Sequence, residues 1–299
     1  MSLAAAWPPV PAAADHSLDE TSGDRRGRLV NRVIVALCLA ATGLLMAALL
    51  AILGFVVVTG LPAINVTFLT QGVTDYNQGG ALAAILGSLQ LVPLATLMSA
   101  PIGILAGVYL AEGGERRFSR VLRVSAELMF GLPPVIIGIF VFTILVAPFG
   151  KYSAFAGSVA LAVIMLPIIT RAVEEVLLLV PGSVREASLA LGIPAWRTVV
   201  SVVLRTALGG ILTAVMLAVA RGAGETASLI FTAYGGGQAI NAGDLGAPTD
   251  SLPTFIYYNS RAPDDILVSQ AAGASLLLLA FVLLVNVLVR GRSIGRRAQ

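Results

Sequence analysis

In the stretch A-R-G-A-G-E-T-A-S-L (220–229), Arg221 and Glu225 stand four residues apart inside an otherwise uncharged apolar run reaching from about 206 to 231. On a helix that spacing puts both side chains on one face. At 1.5 Å per residue, Arg221 would lie about 22 Å along a helix entered near 206, which is mid-membrane if the run crosses a bilayer. An arginine there costs at least about 2.5–3.5 kcal/mol, so it faces a cavity or a partner. Two chemistries fit. One is an internal ion pair that fixes packing. The other is contact with an oxyanion, because a guanidinium donates two parallel hydrogen bonds and stays charged. Glu225 would then be its resting counter-charge, limiting how tightly an anion is held. Gly222 and Gly224 weaken the helix but allow a neighbour or an ion to come close.

A second group, Arg171 with Glu174 and Glu175, sits in L-P-I-I-T-R-A-V-E-E, at the expected cytosolic end of another apolar run. A basic residue there reads first as a positive-inside anchor. The two carboxylates have either Arg171 or another protein as candidate partners.

Other chemistries are excluded by count. The single Cys38 rules out an internal disulfide or a multi-cysteine metal site, and the single His16 rules out a His-rich metal site or a HExxH protease. The single lysine, Lys151, has Leu145 and Tyr152 where a phosphate-binding Walker loop needs Gly and Ser/Thr, so the chain binds no nucleotide by that motif.

The third feature is a short bounded helix, P-G-S-V-R-E-A-S-L-A-L-G-I-P (181–194), between two apolar runs. Ser183 is expected as its N-cap, with Glu186 three residues on completing a capping box. Val184, Ala187 and Leu191 are expected on one face, Gly192 supplies the left-handed stop, and Pro194 opens the next helix. Such a helix either lies on lipid or is a knob gripped by a partner. Its small apolar face offers little area for lipid.

The elements that must position these groups are membrane helices. The chain is 57% hydrophobic and 12% charged, about half the charge of a soluble domain. Six apolar runs are long enough to cross a bilayer: 33–60, 82–111, 128–150, 152–170, 203–231 and 266–289. With the N-terminus inside, sixteen basic residues fall on the cytosolic side and two, Lys151 and Arg261, outside. That split sets both termini and the 181–205 loop in the cytosol. It also makes the net charge of +3 a matter of topology and not of nucleic acid. The expected organisation is a disordered cytosolic tail (1–28), a six-helix domain (29–290) and a short cytosolic tail (291–299). Pro93, Pro101, Pro133, Pro134 and Pro167 predict kinks, and Gly103 with Gly107 forms a G-x-x-x-G spacing suited to close helix approach.

R-E-A-S-L-A-L-G resembles the E-A-A-x-x-x-G signature of ABC importer permeases: Glu186, Ala187 and Gly192 match, and Ser188 stands where a second alanine is usual. Val202 and Leu204 continue the pattern, and Arg205 replaces its proline. P-I-G-I-L-A-G-V-Y-L-A-E (101–112), G-L-P-P-V-I-I-G (131–138), L-P-I-I-T-R-A-V-E-E (166–175), A-R-G-A-G-E-T-A-S-L (220–229) and D-S-L-P-T-F-I-Y (250–257) are similar to the phosphate-specific permeases of the PstA type, over roughly 80–290. The resemblance implies an all-α, six-helix type I importer permease of the bacterial inner membrane, with a cytosolic coupling helix between helices 4 and 5. It implies a transport subunit and no enzyme: Arg221, Glu225 and, as an inner contact, Arg171 line a phosphate path, while Ser183, Glu186, Ala187 and Gly192 meet the ATPase. Implied partners are a P-loop ATPase dimer that binds the ATP–Mg, a second homologous permease and an extracytoplasmic phosphate-binding protein. The alternatives are a permease for sulfate or molybdate, or a membrane scaffold.

Overall fold

The computed structural model of the chain describes residues 22–72, 79–114, 117–235, 241 and 243–295. His16, Arg116, Arg296 and Arg297 lie outside the described residues, as does most of the expected N-terminal tail. The chain divides into two compact units, 1–54 and 55–299.

What is described of the first unit is one helix, α1 (Ser22–Gly60), which runs on into the second and starts within the segment expected to be a tail. It is apolar on every side and almost entirely exposed. Such a surface is stable only against hydrocarbon or another apolar face.

The second unit is a helical bundle. A short α2 (Val66–Thr70) is capped by Asn65, whose Oδ1 accepts from the Phe68 N–H at 2.8 Å. Then come α3 (Leu82–Glu112), α4 (Arg117–Gly131), α5 (Pro134–Val141) and α6 (Ala154–Leu178). The segment after α6 holds α7 (Gly182–Ala190) and α8 (Ala195–Thr198), followed by α9 (Leu204–Ala223), α10 (Ala227–Thr232), α11 (Leu252–Asn259) and α12 (Asp265–Gly295). The last helix therefore continues past 290.

Among the described residues, five helices are long and apolar enough to span a membrane, and a sixth span exists if α4 and the α5 stretch are counted together. The two pieces meet at a bend of 101°. The run expected over 128–150 is therefore divided, at the prolines expected to kink it, and its first piece begins earlier, at Arg117. Gly131, Leu132 and Pro133 separate the pieces, and Pro134, lacking an N–H, begins α5 anew. α6 also outruns its expected end at residue 170 by two turns, carrying Arg171 and Glu174 within the helix. The expected span 203–231 is broken too: α9 stops at Gly224 and α10 starts afresh. At the other end of that span, a π-helical turn over Val199–Val203 joins α8 to α9 in one run from Ala195 to Ala223, with Arg205 exposed on it.

Packing between membrane helices depends on close approach more than on hydrophobicity, since lipid is as apolar as leucine. α3 and α6 make the most extensive contact of the bundle. Gly103 faces Ile169, and Gly107 faces Val173 and the Thr170 carbonyl, so a Cβ at 107 would meet them at 2.8 Å. The G-x-x-x-G spacing is thus the seam of the core. α9 runs antiparallel to α6, with Gly210 opposite Val176 and Gly222 opposite Met165. Leu91, Leu161, Met165, Ile169 and Leu177 are fully buried at these seams. At the opposite end, the rings of Tyr152, Tyr234, Tyr258 and Tyr257 touch in sequence, tying the start of α6 to α10 and α11. Burial first, then the neighbouring phenols and Asp250, raise the Tyr258 pKa above its ordinary value and keep it a hydrogen-bond donor.

Candidate functional site

The Arg221–Glu225 pair forms, but not on one continuous helix. α9 ends at Ala223, Gly224 follows in a non-helical conformation, and the Glu225 N–H donates to the Gly222 carbonyl at 3.1 Å. The Glu225 side chain turns back so that Arg221 Nη1 donates to its Oε2 at 2.9 Å. Its other oxygen, Oε1, accepts from the Ala227 N–H at 3.2 Å, in the first turn of α10. One carboxylate therefore joins the cation at the end of α9 to the start of α10. Helix dipoles favour this polarity, positive at a C-terminus and negative at an N-terminus. Glu225 is 5% exposed and Arg221 50% exposed, so the carboxylate is locked and the guanidinium is open on one side. Among the described residues, no other acceptor takes the remaining N–H groups of its fork. Gly222 packs against Met165, at the middle of α6, which sets Arg221 at mid-span depth. Gly222 thus serves close helix approach, while Gly224 ends the helix and is exposed.

Arg171 lies elsewhere, in a four-residue charge network between α4 and α6. Its Nη1 donates to Glu174 Oε2 at 2.7 Å, and its Nη2 pairs with Glu127 Oε1 at 3.2 Å. The other Glu174 oxygen accepts from Arg123 Nη2 and Nε at 2.7 and 3.0 Å. Glu174 is buried, 3% exposed, and is bracketed by two guanidiniums; Glu175 faces outward. Arg171 and Arg221 are not in contact. With residue 222 level with 165 on an antiparallel neighbour, Arg221 is level with about residue 166, and Arg171 sits about five residues further along α6, about 8 Å in depth at 1.5 Å per residue. Sequence reasoning counted Arg123 only as a positive-inside charge and passed over Glu127. Their four-residue spacing on an amphipathic helix was the available signal.

The short helix α7 differs from expectation at its start. Pro181, extended at ψ 139°, holds the N-cap position, and α7 begins at Gly182. Ser183 falls inside the first turn and makes no capping bond, so the expected Ser183–Glu186 capping box is absent. A reciprocal box exists instead at Ser251 and Thr254, opening α11. The end of α7 is as expected. Gly192 has φ +76°, its N–H donates to the Leu189 carbonyl at 2.9 Å, and the Ile193 N–H donates to the Ser188 carbonyl at 3.3 Å. This is the paired-bond stop that a left-handed glycine permits. The inward face also differs: Ser188 is buried and its hydroxyl meets that of Thr198 at 2.9 Å, whereas Ala187 and Leu191 are exposed. Ser183, Glu186, Ala187, Leu191 and Trp196 together present an open surface.

A bundle of membrane-length helices with broken spans, a mid-depth arginine and a bounded loop helix defines a membrane transport component. Residues 103–291 match the family model described as binding-protein-dependent transport system inner membrane component. A phosphate transport system permease protein PstA from Haemophilus influenzae is 37% identical over 80% of this chain and 85% of its own length. One from Yersinia pestis is 38% identical over 88% of this chain and 90% of its own. In fold, the chain is similar to the inward-facing MetNI methionine ABC transporter, with a TM-score of 0.58, 20% identity, and coverage of 73% of this chain and 97% of that one. The chain belongs to the binding-protein-dependent transport system inner membrane components, and among them to the PstA-type permeases.

Proposed function

We propose that this chain is one of two dissimilar permease subunits of an ATP-driven importer of inorganic phosphate, and that it forms half of the translocation path. The observation that carries this reading is the half-open Arg221, held at mid-span along one edge by a buried Glu225. A guanidinium so held offers its free N–H groups to a tetrahedral oxyanion, and the fixed carboxylate beside it keeps that anion from being trapped. The names of the relatives supply the ion. Arg171, bracketed with Glu174, is the contact nearer the inner face.

The chain lies in the bacterial cytoplasmic membrane with both termini in the cytosol. An extracytoplasmic binding protein delivers phosphate, and a second, homologous permease completes the path. A P-loop ATPase dimer carries the ATP–Mg and grips the α7 surface around Ser183, Glu186, Ala187 and Gly192. Closure of the ATPase moves α7 and exchanges outward- and inward-facing states. No bond of the transported ion is made or broken.

In the purified, reconstituted complex, Arg221→Ala is expected to leave assembly intact and to abolish uptake of labelled phosphate. Wild-type uptake by that variant refutes the role of Arg221. Glu186→Lys is expected to lower the ATPase recovered with the membrane subunits, and unchanged recovery refutes the docking role of α7.

A further inference from the structure

Arg185 lies on α7 beside the exposed Glu186 and Ala187 of the proposed docking surface, yet its own side chain runs the other way. Nε and Nη2 donate to Glu112 Oε1 at 3.2 and 2.8 Å. Nη1 donates to the Val180 carbonyl at 2.6 Å, and Nη2 also donates to the Leu177 carbonyl at 3.0 Å. Glu112 is the last residue of α3, and residues 177–180 are the end of α6. A single guanidinium therefore bridges the carboxylate that ends α3 and two carbonyls at the end of α6, where the helix dipole is negative.

These two helices are the pair that Gly103 and Gly107 lock together. They run parallel, since residues 91, 103 and 107 of α3 meet 157, 169 and 173 of α6 in ascending order. α7 is thus fastened to the blunt end of a tightly packed two-helix block by a planar fork with four hydrogen bonds. Its other anchor, the Ser188–Thr198 hydroxyl pair, ties it to α8 instead. A lysine would supply charge at the first anchor but could not span the carboxylate and both carbonyls.

We propose that Arg185 is a positioning residue that transmits displacement of α7 into the α3–α6 block, so that the grip of the ATPase is converted into movement of the helix carrying Arg171 and Glu174. This rests on the reading of α7 as the docking helix. Without the fork, α7 would still be held by its chain ends and by Ser188, but would tilt against α3 and α6 instead of pushing them.

The test uses the complete complex with ATPase, second permease and binding protein in liposomes. Arg185→Met keeps the stem and removes the fork. The expected result is unchanged ATPase recovery and continued ATP hydrolysis, with phosphate moved per ATP reduced at least tenfold. Arg185→Lys should recover part of that ratio. Glu112→Gln, which retains the carbonyl bonds and an acceptor oxygen, should lower it two- to threefold and serves if the methionine variant does not assemble. A ratio within twofold of wild type in Arg185→Met, or in Glu112→Gln when that variant stands in, overturns the proposal. Loss of ATPase from both variants also overturns it, because Arg185 would then shape the docking surface itself. A second readout is independent of the transported ion: the ATP-driven change in distance between spin labels at Leu97→Cys on α3 and Leu217→Cys on α9, in a Cys38→Ser background. Its loss in Arg185→Met while hydrolysis continues supports the strut, and its persistence refutes it. If the unmodified complex shows this change but takes up no phosphate, the assignment of the ion fails and the strut stands.

Discussion

Replacing Glu225 by glutamine isolates the part played by its charge. Glutamine keeps one acceptor oxygen, which can still take the Ala227 N–H that starts α10, and puts an NH2 group, a donor, where Oε2 had accepted from Arg221 Nη1. The fold at Gly224 should therefore survive. An oxyanion on the open side of the Arg221 fork would sit about 6 Å from the carboxylate, and unit charges at that distance repel by about 3 kcal/mol at an effective dielectric of about 20. Arg221 is 50% exposed, and solvent reaching the site cuts this to about 1.4 kcal/mol, a factor of about ten. In proteoliposomes, Glu225→Gln should lower the KM for phosphate about tenfold. It should also lower the maximal rate by a similar factor, because the ion leaves more slowly, so kcat/KM should change little. An unchanged KM refutes the counter-charge role and leaves Glu225 as a fastener of the helix break. A raised KM refutes the electrostatic sign of the argument.

Further substitutions probe the scaffold. Gly107→Leu should separate α3 from α6, since even a Cβ would lie 2.8 Å from Val173 and the Thr170 carbonyl; a loss of about 3 kcal/mol or more should appear as a collapse in the yield of folded protein in detergent, while Gly43→Ala, with open space around it, should have little effect. Glu174→Ala should lower stability by about 3 kcal/mol, the low end for breaking a buried ion pair because its arginines are partly exposed. Adding Arg123→Ala should cost less than the sum of the two single changes, as read from thermal midpoints; strict additivity would mean that the pair is not coupled.

The membrane class, the six apolar runs, the mid-depth arginine and the left-handed stop at Gly192 are legible in the sequence because each rests on local chemistry. A long charge-free stretch has few alternatives to a membrane helix, and a glycine after a short helix has one main use. Gly103 and Gly107 were visible but weak evidence, since that spacing is frequent by chance, and only the facing Ile169 and Val173 give it meaning. The failures are tertiary. Ser183 was a plausible cap until Pro181 took the position one turn-residue ahead of α7. Arg171 looked like the end of its run because an unpaired arginine does not belong within a membrane helix. The carboxylates of Glu174 and Glu127 neutralise it, and α6 continues to Leu178. Proline pairs announce that a helix is disturbed at 133–134, but the 101° bend is decided by what α5 packs against. There Gly138 lies against Ser228 of α10, a contact between residues ninety positions apart in sequence.

These observations meet on α6. Met165 is the surface against which Gly222 fixes the depth of Arg221; Arg171 and Glu174, two turns on, hold α4; and the carbonyls of Leu177 and Val180 receive Arg185 from α7. The three contacts follow α6 at successive levels, from its middle to the end nearest α7. Close-packed interiors respond to a push by switching arrangement more readily than by stretching. A shift of α6 along its axis would therefore be felt together at Arg221, at the Arg123–Glu174–Arg171 bracket and at Arg185. The charged groups proposed to meet the ion are in this way attached to, or packed on, the same helix to which Arg185 fastens α7.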